Sequence, residues 1–245
     1  MSEKLDQLKQ ILGEVSDLNH AASVLSWDEQ VNMPPGGSEA RGQQLATLGK
    51  IVQEKFTSDE VGRLLEDLTK EYTDVETDDG AMIRVAARNY KKAKLVPPSF
   101  VAEQAIVSSK AFEAWVEAKG KSDFSIFRPH LEKVVELVKK YVSFFPPADH
   151  PYDVLLDDFE PGMKTAEVRE IFGNLRPKQV KLLQAIAASK QVKNDFLHKK
   201  YNEQKLWGFS EKIISKFGYD FTRGRQDKAP HPFETTFSVN DVRIT

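Results

Sequence analysis

The chain has 245 residues, 40% hydrophobic and 29% charged, with 35 Lys+Arg against 37 Asp+Glu for a formal net charge of −2. That length suffices for one large domain or two small ones with a sizeable core, and the near-neutral balance excludes a global basic field that would draw in nucleic acid or an anionic membrane surface. Cysteine is absent, which removes disulfides, thiol nucleophiles and Cys-ligated zinc or iron–sulfur sites and suits a reducing compartment.

No apolar run approaches the ~20 residues of a membrane span, and the opening MSEKLDQLKQ is too charged for a signal peptide. A soluble cytoplasmic protein is the expectation. The histidines are His20, His130, His150, His198 and His231. No two stand one helical turn apart, so the HExxH zinc helix does not occur among these residues.

Helical periodicity dominates. Leu5, Leu8, Leu12, Val15 and Leu18 recur at spacings of three and four, one apolar stripe on an amphipathic helix. Met33-Pro-Pro-Gly-Gly37 interrupts it. A second helix is expected from about Glu39, carrying Leu45, Leu48, Ile51 and Val52 on its apolar face. Thr57-Ser-Asp-Glu60 reads as a capping box ahead of Val61, Leu64, Leu65 and Leu68. Ala81 to Ala93 predicts another helix. After Pro97-Pro98, Ser99 opens the stripe Val101, Ala105, Phe112, Trp115 and Val116. Beyond Pro129, the residues Leu131, Val134, Val138, Tyr141 and Phe145 continue the alternation until Pro146-Pro147.

From His150 the texture changes. His150 to Gly162 is dense in acids, aromatics and breakers, which predicts a short helix or structured loop. Helices resume near Thr165, with Pro177 kinking or splitting one, and again over Asn202 to Phe217. Only Phe233 to Thr245 has the β-branched and aromatic texture of a strand. As a single strand it would put Phe237, Val239, Asp241, Arg243 and Thr245 on one face. Alternatively, Asn240-Asp241 is a turn between two hairpin strands. The fold class is therefore mainly α, a bundle of long antiparallel helices with a small β element at the C-terminal end.

Several clusters could carry chemistry, each with a plainer explanation. Asp153, Asp157, Asp158 and Glu160 could be paired carboxylates for acid–base work or a hard cation. Capping and turn chemistry before Pro161-Gly162 is the competing explanation. Arg223, Arg225 and Lys228 could clamp a carboxylate or phosphate, or simply pair with Asp220 or Asp227. His20 and His198 lie in helical surroundings and read as ordinary core or surface histidines. His231-Pro-Phe233 fixes an extended backbone that can aim an imidazole outward. Asp241-Val-Arg243 could form an ion pair or receive a carboxylate, with cross-strand pairing as the alternative.

Together these pieces resemble one family. Leu25-Ser-Trp-Asp-Glu-Gln30, Met33-Pro-Pro-Gly-Gly37 with Arg41, Tyr152 to Met163, Phe217-Gly-Tyr-Asp-Phe221 with Arg223-Gly-Arg225, His231-Pro-Phe233 and Asp241-Val-Arg-Ile-Thr245 occur in the order of the carboxypeptidase Taq family. The last two match its HPF and DxRxT motifs. The resemblance runs over nearly the whole chain and implies a cytoplasmic, mostly helical, usually homodimeric enzyme. Such an enzyme releases C-terminal residues from peptides with broad specificity and generally spares a terminal Pro. In the family an HExxH helix and a downstream glutamate hold a metal, usually zinc.

That helix follows the DxRxT motif in the family, whereas this sequence stops at Thr245. The expectation is an N-terminal portion of such an enzyme, without a metal site of its own and inactive alone, with zinc belonging to the full-length enzyme. Its parts would be helical hairpins over 1–147, loop and helices near the substrate groove over 148–230, and the HPF and DxRxT strand segment over 231–245. By resemblance, the substrate-binding residues are His231, Phe233, Asp241 and Arg243. Arg243 would shape or neutralise the site and His231 orient substrate. No catalytic residue and no metal ligand is assigned. Peptides are the expected partners, with homodimerisation when full length and no nucleic acid or membrane. Rival readings are a non-enzymatic helical interaction module and a hydrolase using Asp153, Asp157 and Asp158 with a hard metal.

Overall fold

The helical periodicity carries through into a computed structural model, which describes residues 3–74 and 76–245. In chain order the helices are α1 (Glu3–Val31), α2 (Ser38–Phe56), α3 (Asp59–Glu71), α4 (Asp78–Ala93), α5 (Pro98–Lys121), α6 (Phe124–Val142), α7 (Pro151–Leu156), α8 (Thr165–Ala188) and α9 (Glu203–Lys216). Three strands follow: β1 (Gly224–Gln226), β2 (Glu234–Ser238) and β3 (Asp241–Ile244). The chain separates into two compact units, one running to Phe144 and including Asp220–Thr245, the other Phe145–Tyr219.

The core of the first unit forms where α1, α3 and α4 meet. Leu5 and Leu8 pack with Val61, Leu64, Leu65, Leu68, Ile83 and Ala86, all buried. Full burial of each large apolar side chain contributes about 1.5–3 kcal/mol. The cap of α3 sits one residue later than the Thr57–Glu60 spacing predicts. Ser58 is the N-cap and accepts from the Val61 N–H. Thr57 instead donates its hydroxyl to the Gln53 carbonyl at the end of α2, and Glu60 accepts from Gln7 on α1. Thr57 is thus consumed in closing one helix and cannot open the next.

Helices α2 and α5 depart from their expected stripes. The buried residues are Gly42 and Ala46 on α2, and Phe100, Ser109, Ala111, Ala114 and Ala118 on α5. A Cβ at Gly42 would lie 3.5 Å from both the Ile106 Cα and the Ser109 Cβ, so the two backbones approach closely on small residues. Leu45, Leu48, Phe112, Trp115 and Val116 flank that seam half-buried, and Ile51 is exposed. Side-chain volume decided this: a face of small residues admits the neighbouring backbone, and larger apolar groups are left at its edges.

Proline placement also differs. Asp123 caps α6 by accepting from the Ser125 N–H, so α6 begins ahead of Pro129 and carries that proline inside. It ends at Val142, before Pro146-Pro147. In α8, Pro177 lies within a continuous helix and does not split it.

The C-terminal segment folds as a hairpin rather than one strand. β2 and β3 are antiparallel around a turn at Val239-Asn240, one residue ahead of the anticipated one, with an irregularity between Thr236 and Ser238. The strand order is β1-β3-β2, and β1 pairs in parallel with β3, matching Arg225 to Arg243. At three residues, Gly224–Gln226 is too short for strand alternation to show in the sequence.

In the unit 145–219, α7 is a single capped turn-and-a-half and α8 and α9 are amphipathic. His150 accepts from the Tyr152 N–H while Asp153 accepts from the His150 N–H. Only Asp153 and Val154 are buried in this unit. No helix among the described residues is long and apolar enough to cross a membrane.

Candidate functional site

The last two turns of α1 carry Leu25-Ser-Trp-Asp-Glu-Gln30, and α2 fastens them. Arg41, its side chain only 12% exposed, donates to Asp28 at 2.6 Å and also to the Leu25 carbonyl. The Asp28 carbonyl accepts from both Asn32 and Met33, ending the helix. The family-like Arg41 is therefore a clasp for the end of α1. With α1 held there, Trp27 is buried at 5% exposure and faces the sheet.

Arg243 on β3 lies between two rings. Its guanidinium carbon is 4.2 Å from the Trp27 ring centroid and 4.8 Å from that of Phe237. Nε and Nη2 each donate to the Asp241 carboxylate at 2.9 Å. This bidentate bond holds the Asp241 carboxyl below the usual carboxylate range. Arg225, the register partner of Arg243 on β1, stands 5.4 Å from the Trp27 ring and is paired with Asp227 through its Nε and Nη2. Each cation–π contact contributes about 0.5–2 kcal/mol according to its desolvation. Arg243 is thus flanked by two rings and charge-compensated by Asp241 through Nε and Nη2.

Packing of the HPF segment against α5 places the other expected residues. Lys119 Nζ donates to the Pro230 carbonyl and lies 5.0 Å from the Trp115 ring centroid. His231 follows, exposed, with its ring centroid 6.5 Å from that of Trp115 and its Nδ1 2.8 Å from the Pro232 carbonyl oxygen. Phe233 is half-buried. Its N–H donates to the Thr245 hydroxyl at 2.7 Å, and the Thr245 N–H returns to the Phe233 carbonyl at 3.0 Å. The final threonine of DxRxT therefore closes the hairpin onto the phenylalanine of HPF, and the two motifs are one structural device.

Of the four residues singled out by resemblance, Asp241 and Arg243 share an ion pair, Phe233 is tied to their strand through Thr245, and His231 lies against α5. Trp27, Arg225 and Trp115 have contacts that spacing did not assign. The available signal was Trp27 itself, an aromatic residue inside Leu25–Gln30. The remaining clusters have local uses. Arg223 pairs with Asp220 at 3.0 Å. Asp153 accepts from the Thr165 hydroxyl and N–H at 2.6 and 2.7 Å, and these bonds hold its carboxyl below the usual range. Asp157 accepts from the Gly162 N–H. Asp153 and Asp157 are thus engaged in capping and turn bonds, the plainer of the two explanations for these two carboxylates.

Among the described residues no group of three or more His, Asp or Glu side chains is disposed to hold a metal ion. The donors of the described residues do not fit a divalent metal.

A profile of the carboxypeptidase Taq (M32) metallopeptidases matches residues 7–245. The chain belongs to that family. Carboxypeptidase 1 of Bacillus subtilis (strain 168) is 34% identical over 236 residues, covering 96% of this chain and 47% of that protein. Thermostable carboxypeptidase 1 of Pyrococcus furiosus is 35% identical over 246 aligned residues, covering 98% of this chain and 49% of that one. A crystal structure named BsuCP superposes with a TM-score of 0.93 at 32% identity, covering 99% of this chain and 49% of its own. The chain spans about half the length of the curated relatives it matches. Membership in the M32 family makes it a metallopeptidase-family chain with a mainly helical fold and a three-stranded sheet.

Proposed function

We propose that these residues form one wall of the substrate groove in a metal-dependent carboxypeptidase that releases C-terminal amino acids from peptides with broad specificity. Supporting this most directly is the joined HPF–DxRxT hairpin, in which the Trp27–Arg243–Phe237 stack holds a guanidinium rigidly beside Asp241. In this reading, 1–147 is the helical scaffold, 148–230 the neighbouring loop and helices, and 231–245 the segment bordering the reaction. His231 and Phe233 orient the peptide. Arg243, with Asp241 fixing its orientation, sets the local charge. Zinc is the metal we assign, to be held by an HExxH helix that the 245 residues do not contain, so the chain alone is inactive. Homodimerisation of the whole enzyme and a cytoplasmic location, in keeping with the absence of cysteine, complete the proposal.

The test is release of the C-terminal residue from a blocked dipeptide in the presence of zinc. The chain alone should give none. Joined to the HExxH-bearing half of an M32 relative, it should give turnover, and His231→Ala in that joined enzyme should lower kcat/KM by roughly tenfold or more, about 1.4 kcal/mol or more of transition-state binding. Turnover by the chain alone would overturn the inactivity. No turnover by a folded joined enzyme, or an unchanged kcat/KM in the variant, would overturn the groove assignment.

A further inference from the structure

Pro230-His231-Pro232 leaves the chain little freedom ahead of Phe233. Both prolines fix their own φ, and His231, standing before a proline, is confined to extended backbone. Both ends of the segment are gripped. Lys119 Nζ donates to the Pro230 carbonyl at one end. At the other, Phe233 is closed onto Thr245 by the paired bonds of the hairpin. What remains to be set is the orientation of the imidazole.

Two residues of α5 bear on that. Trp115 and Lys119 stand one helical turn apart, on the same face of the helix. The neighbouring Ala111, Ala114 and Ala118 are buried, which holds this stretch of α5 in place. Phe112 braces the Trp115 ring at a centroid distance of 5.8 Å, and the Lys119 ammonium sits 5.0 Å from that ring's centroid. The His231 ring lies against the same indole, with centroids 6.5 Å apart and planes inclined at 59°. Its Nδ1 is 2.8 Å from the Pro232 carbonyl oxygen. A carbonyl only accepts, so this bond puts the proton on Nδ1, and in the neutral ring Nε2 then carries a lone pair. A lone pair receives an N–H and repels a carboxylate.

We propose that Trp115 and Lys119 are positioning residues that fix His231 as its Nδ1–H tautomer, so that Nε2 accepts a hydrogen bond from a backbone N–H of the bound peptide. The identity of the ligand rests on the groove reading given above. The tautomer and its control by α5 are properties of the chain alone.

The first experiment therefore needs no metal. Long-range 1H–15N correlation spectra of the full chain, recorded above the titration of its histidines, should show His231 mainly as Nδ1–H, the tautomer that free histidine disfavours. Lys119→Met keeps an unbranched stem but loses the donor and the charge, and should return His231 towards the free-histidine mixture. Lys119→Arg keeps both and should restore the wild-type ratio. Lys119 is exposed, so the amide spectrum should otherwise be retained. Trp115→Leu should move the ratio in the same direction as Lys119→Met.

The second experiment uses the chain joined to the HExxH-bearing half of an M32 relative. Lys119→Met should lower kcat/KM about fivefold, and less than about twofold when His231 is already alanine, since the lysine acts through that ring. On the zinc-free joined enzyme, methylating one of the two amide nitrogens of a blocked dipeptide should weaken its Kd about tenfold, and less than about twofold in His231→Ala. A His231 ring in the Nε2–H form, a tautomer ratio unchanged in both α5 variants, or independent losses at Lys119 and His231 overturns the proposal and leaves the groove reading intact. Methylation that does not couple to His231 at either nitrogen overturns the acceptor role. An unchanged kcat/KM in His231→Ala alone overturns the groove reading, and the acceptor role with it, while the spectra of the chain still decide the tautomer.

Discussion

The unit built from the first 144 residues and the C-terminal sheet, and the unit 145–219, start from similar amphipathic material and end differently. In the first, Leu5, Leu68 and Val61 are fully buried and Ile83 nearly so. In the second, Phe172, Leu182 and Leu183 each remain at least 60% exposed, and Ile171 and Ile186 on the same helix are 52% exposed. Both present apolar residues on helices rich in Lys and Glu. What separates them is whether another helix of the same unit offers a complementary face. Amphipathic periodicity therefore states which face is apolar, not that it is covered.

The largest effect should come from asking this of paired leucines. Leu68→Ala removes a fully buried side chain, and chemical denaturation followed by tryptophan fluorescence should show a loss of about 2–5 kcal/mol. Leu183→Ala, at 63% exposure, should stay within about 0.5 kcal/mol. Equal losses would mean that α8 is covered in solution and the contrast is lost. Next, Trp27→Leu removes a ring beneath two guanidinium groups while keeping apolar bulk, and should cost about 1–3 kcal/mol in the same measurement. It should also broaden the Arg243 Nε–H resonance, since Phe237 alone would then face that side chain.

A smaller change is expected at the first turn of α3. Ser58→Ala should lose about 1 kcal/mol, whereas a loss from Thr57→Ala that exceeded it would restore the capping frame suggested by the Thr57–Glu60 spacing. The last prediction is read in pH. The bonds from Thr165 and His150 lower the Asp153 carboxyl, so in its unit the folded form binds that proton less readily than the unfolded form. Asp153 therefore contributes stability that is fully present above its unfolded value of about 3.9 and is lost as pH falls through the lower folded value. Hydrogen exchange at the Thr165 N–H should accelerate over that acid range in the wild type. In Asp153→Asn, whose side chain does not titrate, the step should vanish.

Much of the candidate site was legible one motif at a time. His231-Pro-Phe233 and Asp241–Thr245 stood out as motifs, and either an ion pair or a carboxylate receptor was open for Asp241 and Arg243. Spacing could not choose between them, because that depends on whether the Arg243 fork meets Asp241 or empty space. The structure shows it meeting Asp241 through two nitrogens. Nor could spacing place Trp27 beneath Arg243: they are separated by most of the chain, and they meet where Arg41 fastens α1, β2 packs against that helix and Arg243 reaches from β3 over the Trp27 ring. Thr57 and Ser58 show the same limit locally, since two adjacent hydroxyls competed for two helix ends.

From its residues alone, the chain was determined to be mainly helical, free of thiol chemistry and related in motif order to the M32 family. These properties follow from local periodicity, composition and order along the chain, which require no knowledge of neighbours. Tertiary structure decided which apolar faces are covered, that Gly42 and the alanines of α5 rather than the larger residues form a helix seam, and that HPF and DxRxT close on one another through Phe233 and Thr245. Each of those outcomes depends on volume and hydrogen-bond geometry between residues distant in sequence, and only packing brings the two partners together.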